Sequence, residues 1–213
     1  MFATRRGLLV SAGALALMAC QPGGGTVNNM GEDASDMTIG AETAPVKIVE
    51  YASVTCPHCK AFHADVWPQL KANYIDTGKV RFTFREFTTA PQEVSLAGFQ
   101  IARCAANGDP DRYFSIIDIL FDQQDAIFAA MGQQKVRDHL LLIAQSAGLS
   151  EDAFNACITD PEGAKRVEAT MKKGFEQLKV DGTPSIFING VKQGPDSQSY
   201  DGIAKLIEAK LKG

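Results

Sequence analysis

The sequence is short of several features that would point to other functions. Among its 213 residues there is no long basic run and the formal net charge is −4, so a nucleic-acid partner gains no electrostatic support. No stretch reaches the ~20 apolar residues that a membrane-spanning helix needs. Internal repeats are absent, and low-complexity character is confined to residues 21–36. Only three histidines and five cysteines are present, and beyond one Cys-x-x-Cys pair the ligands for a zinc centre are missing. Cys104 and Cys157 stand alone, and His63 and His139 make no second pair, so no metal is assigned. What remains, at 45% hydrophobic composition, is a chain able to bury a real core as one domain or as a domain with an insertion.

The first twenty residues differ from the rest. Arg5 and Arg6 precede an uncharged run of 13 residues, Gly7 to Ala19, which is too short to span a membrane and reads as an export signal. Thr4-Arg5-Arg6-Gly7-Leu8-Leu9 fits a twin-arginine signal or the basic start of a general secretory one, and both remain open. Leu17-Met18-Ala19-Cys20 resembles the lipobox at which bacterial lipoproteins are cut and acylated; Met18 departs from the pattern, and the other reading is a signal with an incidental cysteine. Taking Cys20 into a lipid anchor leaves four cysteines, the even number that an oxidising compartment favours. The expected division is a signal peptide over 1–19, a flexible tether over 20–36 and a folded domain over 37–213. The tether follows from Gly23-Gly24-Gly25 and the near absence of large apolar side chains.

Within the domain, Val46–Tyr51 is apolar and rich in β-branched residues, which suits a buried strand aimed at Cys56. Cys59, Phe62, Val66 and Leu70 recur at helical spacing, with Pro68 expected to kink the helix. Val80–Arg85 alternates apolar and polar, the period of a half-buried strand. From about 92 to 178 the signals are helical throughout. Asp109-Pro110 and Asp160-Pro161 supply starts, Gly108 and Gly148 supply stops, and four or five helices are expected. Ser185–Ile188 returns to strand character, Asn189-Gly190 predicts a tight hairpin to Val191-Lys192, and a final amphipathic helix runs from about Tyr200 to Leu211. The phenylalanines at 62, 82, 84, 87, 114 and 187 read as core.

The chemistry concentrates in Cys56-Pro57-His58-Cys59. A cysteine at a helix start meets unpaired backbone N–H groups and the positive end of the helix dipole, which favours its thiolate and makes Cys56 the nucleophile. His58 beside the sulfur stabilises the reduced form further, and a stabilised reduced form is a stronger oxidant. By itself the pair is also half a zinc site, but the other half is missing.

Val46–Tyr51 leading into Cys56-Pro57-His58-Cys59, with Thr183-Pro184 downstream and a helical block between the strand pairs, resembles the DsbA group of oxidoreductases over about 37–213. The resemblance implies an α/β, thioredoxin-like fold with an inserted helical domain at about 92–178. It implies a redox-active disulfide between Cys56, attacked by substrate thiolates, and Cys59, its buried partner. Glu50 matches the family's buried acid, placed to relay a proton to or from Cys59. Thr183-Pro184 matches the substrate-facing loop with its cis proline, and threonine there is shared with relatives that reduce or isomerise disulfides. Some relatives carry a second disulfide in the helical domain, which suits Cys104 and Cys157, otherwise readable as buried apolar residues. A pairing would add ~4 kcal/mol in the chain-entropy model. His63 is given no role beyond surface or packing.

The function expected is that of an exported, monomeric thiol-disulfide oxidoreductase in the periplasm or cell envelope, touching the membrane only through a lipid anchor at Cys20. It acts without a bound cofactor on reduced or misoxidised exported proteins, with a membrane reoxidant of the DsbB type implied by the resemblance. The alternatives are a reductase or isomerase using the same site, and a non-catalytic lipoprotein that binds metal or unfolded chains.

Overall fold

The computed structural model describes Met1 and residues 30–212. The export signal, Cys20 and the first part of the tether therefore lie outside the described residues.

The chain begins its regular structure with β1 (Met37–Ile39) and β2 (Val46–Ala52). Residues along a strand point alternately to its two faces. Here Ile48 and Glu50 join Phe82 and Phe84 on the main core, while Val49 and Tyr51 join Leu178, Val180 and Phe187 in a smaller cluster on the other face. Burial on both faces explains why β2 reads as a nearly continuous apolar run. It ends in the loop that carries Cys56.

Helix α1 (Pro57–Asp65) starts with proline at its first turn, where the missing N–H is no loss. It stops at Val66, and the short α2 (Trp67–Leu70) has Pro68 in its first turn. The expected kink is thus a break between two helices, followed by one wide turn over Lys71–Ile75 whose closing bond runs from Asp76 N–H to Lys71 C=O. Cys59, Phe62, Val66 and Leu70 are all buried along this path.

Strand β3 (Val80–Glu86) returns parallel to β2, pairing Glu50 with Phe84 and Ala52 with Glu86. Its alternation suggested one wet face; both faces are buried. Phe82 and Phe84 enter the core, while Arg85 on the opposite side is 1% exposed. The cover is residues 30–36, which the composition assigned to a flexible tether. Asp36 accepts from Arg85 at 2.7 Å, Glu32 from Arg81 at 2.8 Å and Asp33 from Lys173 at 2.8 Å. This part of the segment docks through charge, so its lack of large apolar side chains did not reveal it.

Between β3 and β4 the chain forms six helices, not four or five: α3 (Gln92–Ala106), α4 (Pro110–Asp122), α5 (Gln124–Gly132), α6 (Val136–Ser146), α7 (Glu151–Ile158) and α8 (Pro161–Leu178). Asp109 and Asp160 cap α4 and α8 with side-chain acceptors, as their Asp-Pro pairs predict. The extra helix arises where α4 gives way to α5 at Gln123, whose φ −86°, ψ 2° ends the helical path without glycine or proline. Strand β4 (Ser185–Ile188) then lies antiparallel on β2, and Asn189 and Gly190, both at positive φ, turn the chain into β5 (Val191–Lys192). Helix α9 (Tyr200–Leu211) closes the domain. The sheet order is β1-β3-β2-β4-β5, so β2 is central and the loop that carries Cys56 leaves from the middle of the sheet.

Candidate active site

Cys56 occupies the N-cap of α1 with extended backbone, φ −88° and ψ 120°. Its sulfur therefore faces the first unpaired N–H groups of the helix. Thr183, joined to Pro184 by a cis peptide, approaches from the other side, and the Cys56 thiol lies 3.2 Å from the Thr183 carbonyl. Cys59, one turn along, is 0% exposed, whereas Cys56 keeps 7% of its surface. Of the pair, Cys56 alone keeps any exposed surface.

The two thiols are driven apart electrostatically. A hydrogen bond from Cys59 is the largest effect on Cys56 and lowers it to about 5, against the burial that opposes ionisation. The Thr183 side chain and the backbone N–H groups of Cys59 and His58 add to the lowering. Cys59 is pushed well above the ordinary thiol range, first by burial and then by its bond to Cys56 and the negative charge of Glu50. The pair is thus a thiolate at the helix N-cap backed by a fully buried, protonated thiol. The His58 ring is exposed, and its contribution to the sulfur runs through its main chain.

Glu50 is 0% exposed on the core face of β2. One carboxylate oxygen, Oε2, lies 3.1 Å from His63 Nε2; the other, Oε1, has no hydrogen-bond partner among the described residues. His63 Nδ1 lies 3.3 Å from Asp118 Oδ1 on α4, and Asp118 Oδ2 accepts from the Trp67 indole at 3.2 Å. Burial pushes the imidazole down, but the charges and hydrogen bonds of Glu50 and Asp118 outweigh it and raise His63 to about 9. His63, assigned only a packing role from sequence, is the partner of the buried acid. The available signal was its spacing: four residues after Cys59, it shares the buried face of α1.

Two other groups escaped the sequence reading. Gln124, at the start of α5, donates to the carbonyls of Val54 and Cys56 at 2.8 and 3.1 Å and clamps the active-site loop. Ser53, Thr55, Thr89 and Ser95 form a hydroxyl cluster under the same loop, with Ser53 Oγ 2.8 Å from Ser95 Oγ and Thr55 Oγ1 2.9 Å from Thr89 Oγ1. Such contacts join residues far apart in the chain and leave no local pattern. Away from the site, Cys104 of α3 and Cys157 of α7 form a disulfide across the helical block. Among the described residues, no group of three His, Cys, Asp or Glu is arranged to hold a metal ion, and no helix is long and apolar enough to cross a membrane.

A family model described as Thioredoxin matches residues 32–209. The chain belongs to the thioredoxin family. Within that family its fold is DsbA-like, with the helical block inserted between β3 and β4. The crystal structure of Wolbachia pipientis alpha-DsbA1 superposes with a TM-score of 0.79 at 27% identity, covering 88% of this chain and 96% of that one. In sequence, this thioredoxin-family chain is 33% identical over 179 residues to a Rickettsia typhi protein bearing the provisional name protein-disulfide oxidoreductase, covering 84% of this chain and 63% of that protein. It thus spans less than two thirds of that relative's length. It is also 27% identical over 177 residues to disulfide bond formation protein D of Bacillus subtilis, covering 82% of this chain and 77% of that protein.

Proposed function

We propose that this thioredoxin-family protein is a thiol-disulfide oxidoreductase that donates the Cys56–Cys59 disulfide to reduced, newly exported proteins. The observation that carries this reading is the division between the two cysteines: Cys56 keeps 7% of its surface and is lowered to about 5, Cys59 is fully buried and raised. A substrate thiolate attacks Cys56 Sγ in the oxidised protein, the Cys56–Cys59 bond breaks, and Cys59 leaves and takes up a proton. The substrate's second thiolate then attacks its own sulfur in the mixed disulfide, forming the substrate disulfide and releasing Cys56 as a stable thiolate. Two electrons pass from substrate to enzyme, and no bound cofactor is needed. Thr183, beside the sulfur, presents backbone to the incoming chain, and Pro184 shapes that loop.

The direction follows from the same asymmetry, because a stabilised thiolate favours the reduced enzyme and so favours oxidation of substrate. Export to the periplasm or cell envelope is supported by the signal-like residues 1–19 and by the Cys104–Cys157 disulfide, which an oxidising compartment maintains. Acylation at Cys20, a monomeric state and reoxidation by a DsbB-type membrane protein complete the reading. The names of the Rickettsia and Bacillus relatives accord with it. The deciding test is the equilibrium potential against glutathione. A value near ~−120 mV, that of DsbA, supports the oxidase; a value near ~−270 mV, that of thioredoxin, overturns the direction and favours the reductase.

A further inference from the structure

Cys59 must lose a proton whenever it attacks a mixed disulfide at Cys56, and must gain one whenever the disulfide is opened. At 0% exposure it has no direct contact with water through which to do so. Glu50, equally buried, turns one oxygen to His63 and leaves the other without a partner among the described residues. The imidazole continues from that carboxylate to Asp118, whose side chain is 40% exposed. The series therefore runs from a fully buried carboxylate through a side chain 2% exposed to one in contact with solvent. It ends at a surface pocket of about 380 Å³ that Lys60, Ala64, Pro68 and Asp122 help to line.

We propose that His63 and Asp118 form the proton outlet of Cys59, joining Glu50 to solvent. The inference rests on the exchange reaction at Cys56–Cys59 described above. In the resolving step Cys59 yields its proton to Glu50, and the imidazolium releases its Nδ1 proton to Asp118 and so to water. The Cys59 thiolate then attacks Cys56 Sγ, a new Cys56–Cys59 bond forms, and the bond from Cys56 to the bound thiol breaks with release of that thiol as its thiolate. This leaves Glu50 protonated beside a neutral imidazole that keeps Nε2–H; the same two transfers run in reverse when the disulfide is opened, and slower exchange with solvent returns the carboxylate–imidazolium pair. One proton has left the protein for each disulfide closed, and the network holds as many protons as before.

The surroundings of the ring suit this use. Phe121 stacks on it with centroids 4.3 Å apart, Trp67 lies at 5.3 Å, and Phe62 and Phe84 meet it edge-on, so the ring is held between its two acceptors. The charged groups around it are Glu50 from β2, Asp118 and Asp122 from α4 and Lys60 from its own helix. Lys60 is engaged by Asp125 at 2.6 Å. Both ring nitrogens face carboxylates, which sets the imidazole in line between Glu50 and Asp118.

The experiment is stopped-flow reaction of the reduced protein with 5,5′-dithiobis(2-nitrobenzoate). The first equivalent of thionitrobenzoate reports attack by Cys56 and depends on reagent concentration. The second, independent of reagent concentration, reports resolution by Cys59. His63→Gln keeps a donor to Glu50 but cannot carry a proton, and Asp118→Asn removes the solvent end. We expect the second phase to slow at least tenfold in H63Q and severalfold in D118N, within the range of lost general acid–base assistance. Added imidazole should restore the second phase in His63→Ala, whereas pyrrole, which can fill the same cavity but cannot carry a proton, should not. A second phase within twofold of the parent's in both H63Q and D118N, or slowing in His63→Ala that imidazole does not relieve, overturns the outlet. A parent protein that releases one equivalent with no second phase removes the exchange reaction itself, and the outlet with it.

Discussion

The ionisation of Cys56 fixes how the redox equilibrium must vary with pH. Reducing the disulfide adds two electrons and, below the Cys56 pKa, two protons. Above it only one proton is taken up, by Cys59, because Cys56 stays a thiolate. Each proton shifts a two-electron couple by ~30 mV per pH unit, so the potential should fall ~59 mV per unit at low pH and ~30 mV per unit at higher pH. The break belongs at about pH 5, where Cys56 titrates. The shallow limb should continue past neutrality, because Cys59 is held well above the ordinary thiol range. At pH 7 the thiolate lies two units above its pKa, which stabilises the reduced protein by roughly 2–3 kcal/mol after allowance for solvent screening at the open side of the sulfur. That makes the potential roughly 40–60 mV less negative than an unshifted thiol at the same site would give. Equilibration with glutathione or dithiothreitol buffers between pH 4 and 8.5, with the two forms quantified by alkylation and mass spectrometry, gives the slope. A steep limb persisting to pH 8 would refute the account of the thiolate.

The remaining predictions concern the scaffold. Replacing Cys104 and Cys157 together by alanine should lower stability by ~4 kcal/mol in the chain-entropy model for 53 residues of separation, read from urea midpoints; an unchanged midpoint would show that the bond adds nothing. In the oxidised protein neither active-site thiol titrates, which isolates His63. Its pKa is raised in the folded state to about 9 from an unfolded value near ~6.5, so its stabilisation is full below pH ~6.5 and is lost as pH rises through 9. Urea unfolding at pH 6 and 9.5 should differ by about 3 kcal/mol in that direction, and a flat profile between them would contradict the network. Gly174→Ala should destabilise, although alanine ordinarily improves a helix interior by ~1 kcal/mol. A Cβ there would lie 2.8 Å from Tyr51 Cε1 in a fully buried ring, and such overpacking costs about 1–3 kcal/mol. A raised melting temperature would show that the ring yields freely.

What the sequence made legible was whatever carries a local signature. The β-branched run of β2, the Asp-Pro starts of α4 and α8 and the Asn189-Gly190 turn all act through neighbours in the chain, and each lies where its pattern indicated. The cysteine pair was legible for the same reason. Glu50 and Thr183-Pro184 stood out only through resemblance to a family. His63 had a local clue, its place one turn beyond Cys59, but its meaning depends on Glu50 from β2 and Asp118 from α4. Gln124 and the hydroxyl cluster join residues up to 70 positions apart, and no periodicity announces them. The docking of residues 30–36 was missed because composition weighs apolar burial and is blind to an acid meeting Arg85 beneath it.

The central claim is that substrate sulfur is exchanged at Cys56, with Cys59 as the buried partner that leaves when the disulfide is opened. Cys59→Ser should therefore trap a mixed disulfide when its Cys56, preactivated with thionitrobenzoate, meets an unfolded protein that carries a single thiol and so cannot resolve the bond itself. Non-reducing gels and peptide mass spectrometry should place the linkage on Cys56 alone, with none formed by Cys56→Ser under the same conditions. Failure to trap any complex through Cys56, or equal trapping by Cys56→Ser through Cys59, would contradict the account.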